Sequence, residues 1–168
     1  MASTTIQNAP SSSSSPSSKP QPEYEVYPSF RGEDTGDTFT DYLYQALDEK
    51  RIITFKDDKG LAMGDPISAE ILNAIEKSRK AVIILSKNYA SSTWCLEELA
   101  KIVECMKSGL KVLPIFYHVE PSDVRYQRGI FEVAFAEHEK HCEENTVQKW
   151  RAAFTEVANL PGIHIKDG

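Results

Sequence analysis

The segment KAVIILSKNYASSTWCLEELAKIVECMKSGLKVLPIFYHV, residues 80–119, decides the fold. Its ends, AVIIL (81–85) and VLPIF (112–116), are apolar at consecutive rather than alternating positions, as strands covered on both faces are. Between them the apolar period changes. On a wheel of about 100° per residue, Cys95, Leu99, Ile102, Val103 and Met106 fall within about 50° of a common centre and form a buried stripe. Strand, helix and strand in succession make a parallel βαβ unit. On the same wheel Glu97 lies about opposite the stripe and reads as a solvated surface residue, whereas Glu98 lies roughly 85° away, at the stripe's edge. Ser91, Trp94 and Glu98 are spaced by three and four, so they form one column at the helix end that meets the preceding loop. A partly desolvated carboxylate beside an aromatic face is chemically usable, because its field is strengthened there. A packing and boundary pair is the commoner use of the same spacing.

The pattern repeats outward in both directions. EYEVYPSF, ending at Phe30, and RIITF, ending at Phe55, add two further apolar runs, which gives four or five short strands. Helical spacing marks Phe39, Leu43, Ala46 and Leu47, and again Ile67, Ile71, Ala74 and Ile75, where Asp65 is the expected cap and Pro66 the first helical residue. Two more helices are expected from about Phe131 to His141 and from about Val147 to Asn159, where the PG pair stops the second. Open parallel sheets place ligands outside the carboxyl ends of their strands. The loops there are FRGEDTGD (30–37), KDDKGLAMGDP (56–66), KNYASSTW (87–94) and HVEPSDVRYQRG (118–129).

Composition narrows the classes. The 168 residues are 40% hydrophobic and 26% charged, with a net charge of -6 that weighs against a binder of nucleic-acid backbone. Three cysteines, Cys95, Cys105 and Cys142, have no close pairing such as C-x-x-C, so neither a disulfide framework nor a metal site is indicated and a reducing, cytoplasmic setting fits. Residues 1–22 carry the run SSSSSPSS and almost no apolar side chains, and they read as a disordered leader before a domain spanning 23–168. The leader has no apolar core for a secretory signal, and its Ser-rich, acid-free composition matches an organelle transit peptide except that it lacks arginine.

Loops and helices together resemble the Toll/interleukin receptor (TIR) domain at the front of plant disease-resistance receptors. The matching stretches are SFRGEDT, FTDYLYQAL, ITFKDDKGLAMGDPI, AIEKSRKAVIILSKNYASSTWCLEEL, PIFYHVEPSDVR, FEVAFAEHE and WRAAFTEVANLPG, in family order from about Tyr24 onward. The resemblance implies a flavodoxin-like α/β fold, a sheet of five parallel strands flanked by five helices. It also implies an activity: cleavage of the nicotinamide–ribose bond of NAD(+), or of NADP(+), to ADP-ribose-type and cyclic ADP-ribose-type immune signals. NAD is then the substrate and no cofactor is required. The family's catalytic glutamate, the second acid of its W-C-L-x-E-L motif, corresponds to Glu98. Ser92 and Trp94 line the same pocket by the same resemblance, and Phe30, Arg31 and Gly32 face the nicotinamide-ribose or phosphate portion. From the residues alone, Arg31 serves equally well in an ion pair with Glu33 or Asp34, and Gly32 in a tight turn.

Self-association of such domains is implied through two surfaces, one around Asp41, Tyr42 and Trp150 and one around Gly129. The resemblance further implies lipase-like immune signalling proteins as downstream partners, reached through the nucleotide products, in the cytoplasm or nucleus. Three positions depart from the family pattern: Pro28 in the first strand, which removes a ladder donor, Asp41-Tyr42 in the first helix, and Ala62-Met63 in the loop from Lys56 to Pro66, a lid by composition. A non-catalytic oligomerisation scaffold is the alternative function. A phospho-receiver is disfavoured because Asp57, Asp58 and Lys59 are contiguous in one loop rather than supplied by separate strand ends.

Overall fold

The short apolar runs assemble into one parallel sheet in a computed structural model of the chain, which describes residues 21–56 and 67–166. Strands β1 (Tyr24–Ser29), β2 (Ser78–Leu85), β3 (Lys111–Tyr117) and β4 (Ile163–Ile165) lie side by side in that order, all parallel. The strand expected at RIITF is reduced to a single bridge, Val26 to Thr54, on the outer side of β1. Among the described residues, four strands and a bridge therefore stand where five strands were expected.

Pro28 supplies the physical reason. Val26 turns its backbone toward the bridge segment, donating to the Ile53 carbonyl at 3.2 Å and accepting from the Phe55 N–H at 3.0 Å. In a parallel ladder the residue two further along faces the same neighbour, and there proline has no N–H to give. Among the described residues the ladder extends no further. Pairing with β2 is spared, since Pro28 keeps its register opposite Val82, so the donor lost at Pro28 costs the sheet its edge rather than its centre.

The described residues hold seven α-helices: α1 (Gly32–Thr35), α2 (Phe39–Glu49), α3 (Ala69–Glu76), α4 (Thr93–Met106), α5 (Pro121–Tyr126), α6 (Ile130–His141) and α7 (Glu144–Ala158). Five of them are the expected ones, and the short α1 and α5 form within the loops at the strand ends. The cap of α3 is Ser68, whose hydroxyl accepts from the Ile71 N–H at 3.2 Å, and not Asp65. Asp65, Pro66, the rest of 57–66 with Asp57, Asp58, Lys59, Ala62 and Met63, and the leader up to residue 20 lie outside the described residues.

Alternation along β2 sorts the helices onto two faces. Ala81, Ile83 and Leu85 join the larger core with α3, α4, α6 and α7, whereas Ile84 and Val82 join a smaller one with Phe30, Ile115 and the α2 residues Phe39 and Leu43. Strand β4 was not expected, and it depends on Gly162. A Cβ there would stand 2.5 Å from the Pro114 carbonyl oxygen, so only glycine lets the chain close onto β3.

Helix α4 touches α3 and α7 as well as the sheet. Neighbours on both flanks widen its buried stripe to include Leu96 and Ala100. For the same reason Glu97, expected in full solvent, is half-buried.

Candidate functional site

At the carboxyl ends of the strands the structure gathers one buried carboxylate and its donors. Glu98 is 1% exposed and lies inside rather than at the edge of the helix stripe. Its Oε1 accepts from the Ser29 hydroxyl at 2.7 Å, and its Oε2 accepts from the Trp94 indole Nε1–H at 2.8 Å. A carboxylate taken out of water needs such donors, and here each oxygen has one. Trp94 reaches it as the (i, i+4) neighbour on α4, while Ser29 is the last residue of β1.

Ser92 holds the start of this helix. Its side chain caps α4 by accepting from the Cys95 N–H at 3.1 Å, which leaves its own hydroxyl proton to give. The 3-10 turn Tyr89–Ser91 precedes it. The buried Tyr89 hydroxyl lies 2.8 Å from Ser29 Oγ and 3.1 Å from the Cys95 carbonyl oxygen, to which it donates. His138 of α6 anchors the turn by donating Nε2–H to the Ala90 carbonyl at 2.8 Å.

A second acid ties the β1–α2 loop to the end of β2. Asp34 Oδ2 accepts from the Ser86 hydroxyl at 2.6 Å and from the Asn88 N–H at 3.0 Å, and Oδ1 accepts from Arg31 at 3.0 Å. Burial opposes its charge, but the bonds from Ser86 and Asn88, with the Arg31 charge, outweigh it and hold the Asp34 carboxyl below its ordinary 3.8. A depressed carboxylate stabilises the fold above its unfolded pKa and loses that contribution as pH falls through the native one. Acid melts followed by circular dichroism should therefore show a stability component lost below about pH 4. Asp34→Asn should lack it; an unchanged acid slope would leave the Asp34 contacts without net effect on stability.

The other expected site residues are brought together only in part. Arg31 is engaged by Asp34 and by Glu33 at 3.1 Å, with 21% of its side chain exposed, so the ion pair open to it in the sequence is made. The Phe30 side chain is buried in the smaller core against Tyr44, and only its carbonyl turns to the site, accepting from Cys95 Sγ at 3.6 Å. Gly32 opens α1, and a Cβ there would meet nothing within 4 Å. Neither packing nor a tight turn demands glycine at that position.

Asp41 and Tyr42 are exposed on α2, and Gly129 is exposed at the cap of α6 with φ 60°. Within four residues of Gly129 in the chain, Tyr126, Ile130 and Val133 are exposed, with the Arg128 guanidinium 4.7 Å from the Tyr126 ring. Trp150 does not join Asp41 and Tyr42. It is 3% exposed, sits edge-to-face on His138 at 5.4 Å, and belongs to the core on the opposite side of the sheet from α2. Its place at a core position of α7, which carries Val147, Ala153, Phe154 and Val157 inward, is the reason.

Ser29, Tyr89, Asp34 and Ser86 were not singled out from the sequence. One signal was available for Ser29: it shares a strand face with Tyr27, two residues away, and so had to be a polar group facing the larger core.

Comparison with known proteins follows the same lines. Residues 23–168 match the family model described as TIR domain. The chain is 53% identical over 168 residues to disease resistance protein RPV1 of Vitis rotundifolia, covering 99% of this chain and 12% of that protein. It is 50% identical over 152 residues to TMV resistance protein N of Nicotiana glutinosa, covering 88% and 13% respectively. The chain thus spans about an eighth of the length of these relatives. Among solved structures, the TIR domains of the activated Roq1 resistosome superpose with a TM-score of 0.77 at 51% identity, over 85% of this chain and 88% of that one.

Proposed function

The chain belongs to the TIR domain family, and on that premise we propose that it is a self-associating NAD(+) nucleohydrolase of plant immune signalling, with Glu98 as its catalytic carboxylate. One observation carries the reading: Glu98 sits at the carboxyl ends of the parallel strands and accepts one hydrogen bond on each oxygen, from Ser29 and Trp94. Departure of nicotinamide leaves an oxocarbenium-like ribose, and a carboxylate fixed in a dry site stabilises that charge strongly. Ser92, with a hydroxyl proton to spare, and Gly32, with open space beside it, suit contacts to the ribose and phosphates. Arg31 supplies positive charge at the same rim. NADP(+) is an alternative substrate, the nucleotide products act on lipase-like signalling proteins, and the setting is the cytoplasm or nucleus.

Self-association proceeds through Asp41 and Tyr42 on α2 and through the exposed side chains around Gly129; Trp150 is withdrawn from the first surface. That the solved relative is described as an activated resistosome supports assembly as the trigger. The same exposed side chains favour the second reading, a scaffold that signals by homotypic contact alone. Nicotinamide release by the purified domain separates them. The enzyme predicts release that rises more steeply than linearly with domain concentration; no release even from domains clustered on a surface would leave the scaffold.

A further inference from the structure

Glu98 is the end of a longer buried chain of polar atoms. Ser29 and Tyr89 are both 0% exposed, and they link Glu98 Oε1 to the Cys95 carbonyl through steps of 2.7, 2.8 and 3.1 Å. Three separate elements supply it: β1, the 3-10 turn and α4. Each hydroxyl carries one proton and accepts readily, so the direction of donation is free to change.

With Glu98 charged, Ser29 must donate to the carboxylate, and Tyr89 is left to donate to Ser29 or to the Cys95 carbonyl. With Glu98 neutral, every donor still finds an acceptor in the reverse order: carboxyl to Ser29, Ser29 to Tyr89, Tyr89 to Cys95 O. We propose that Ser29 and Tyr89 are positioning residues whose reversible hydroxyl chain holds the Glu98 carboxyl in one orientation whether or not it carries a proton. Tyr89 keeps its own proton, since burial above all, with the electrostatic influence of the nearby Cys95 and Glu98 groups, pushes its hydroxyl well above its ordinary value.

This rests on the enzymatic reading for its use. Hydrolysis of NAD(+) by water yields nicotinamide, ADP-ribose and one proton: the C–N bonding pair leaves with nicotinamide, and the water oxygen that bonds the ribose gives up the proton. A carboxyl held equally well in both forms can take that proton and return it to solvent without losing its place. The apolar alternative, a chain that merely fills space, predicts no such coupling to catalysis.

Two variants and two readouts test it. Ser29→Ala should lower kcat by about 10- to 100-fold, the scale of a misplaced catalytic group, with KM nearly unchanged. Tyr89→Phe, which keeps the ring and removes one link, should lower kcat by about 3- to 10-fold, the equivalent of one hydrogen bond. Ser29→Thr retains the hydroxyl and should recover most of the loss. Independently of any substrate, the indole N–H resonance of Trp94, assigned by its absence in Trp94→Phe, should shift in both variants because its acceptor oxygen belongs to the same carboxyl.

Folded variants that keep kcat within twofold, or an indole resonance that stays in place in Ser29→Ala and Tyr89→Phe, would overturn the proposal. A wild-type domain without turnover whose Trp94 resonance still responds to both variants would overturn the enzymatic reading and leave the positioning chain standing.

Discussion

Glu98→Gln is expected to lower the rate of nicotinamide release by about 100- to 1000-fold or more, the range found when one stabilising group is removed from a developing charge. The substitution is a clean probe because the site tolerates it. Trp94 Nε1–H can only donate, so the new amide must turn its oxygen to the indole and its NH2 to Ser29. Ser29 then accepts, donates to Tyr89, and Tyr89 donates to the Cys95 carbonyl, so every link of the chain is kept. Fold and stability should be close to those of the unsubstituted chain, and only the charge is lost. Glu97→Gln, one residue away and half-buried on the outer side of α4, should retain most of the activity. Equal losses in the two variants would mean that the acid matters to the helix rather than to the ribose.

The largest effect on stability is expected at Phe154, which is fully buried on α7. Its ring lies 5.5 Å from Phe131 and 5.4 Å from Phe135, so it joins α7 to the first two turns of the inner face of α6. Phe154→Ala removes a fully buried ring packed against two others and leaves a cavity between α6 and α7. Losses of about 3–5 kcal/mol accompany such changes, against total stabilities of about 5–15 kcal/mol. In a domain of this size that corresponds to a fall in Tm of about 6–20 °C. Val133→Ala, exposed on the opposite face of the same α6, is the control and should stay within about 0.5 kcal/mol. A shift at Val133 comparable to that at Phe154 would contradict the division of α6 into a buried and an exposed face.

The sequence was most legible where periodicity was long. Helix α4 and strands β2 and β3 were readable because each presents an uninterrupted pattern bounded by loop residues. Strand β4 was not, since three residues, Ile163 to Ile165, carry too little pattern to be told from a tail. The cap of α3 was misplaced because Asp65 and Ser68 are both good caps, and only the backbone decides between them. A wheel centred on one stripe underestimates burial when a helix has neighbours on two flanks, which is why Glu98 lies deeper than its angle indicated.

The site itself was half legible. Trp94 and Glu98 sit on one helix and announce one another by spacing, whereas Ser92, the cap of that helix, is indicated only by the resemblance. Ser29 lies 69 residues before Glu98 and only the pairing of β1 with β2 brings it there, whereas Tyr89 comes from the 3-10 turn that leads into α4. Trp150 shows the converse error: a tryptophan in a matched motif was read as an outer contact, yet the alternation of core positions along α7 places it inside. The resemblance to the TIR family points to α4, and the tertiary arrangement supplies the hydrogen-bond partners of Glu98.

On the proposed enzymatic reading, the depth of Glu98 bears on how a cell tolerates the protein. A carboxylate 1% exposed is covered by its own chain, so substrate reaches it only after Trp94 or its surroundings move aside. A lone, newly made copy then consumes little of an essential metabolite. Harm from accidental synthesis scales with the rare open form rather than with abundance, and substitutions that uncover the acid would be harmful even where they leave the fold more stable.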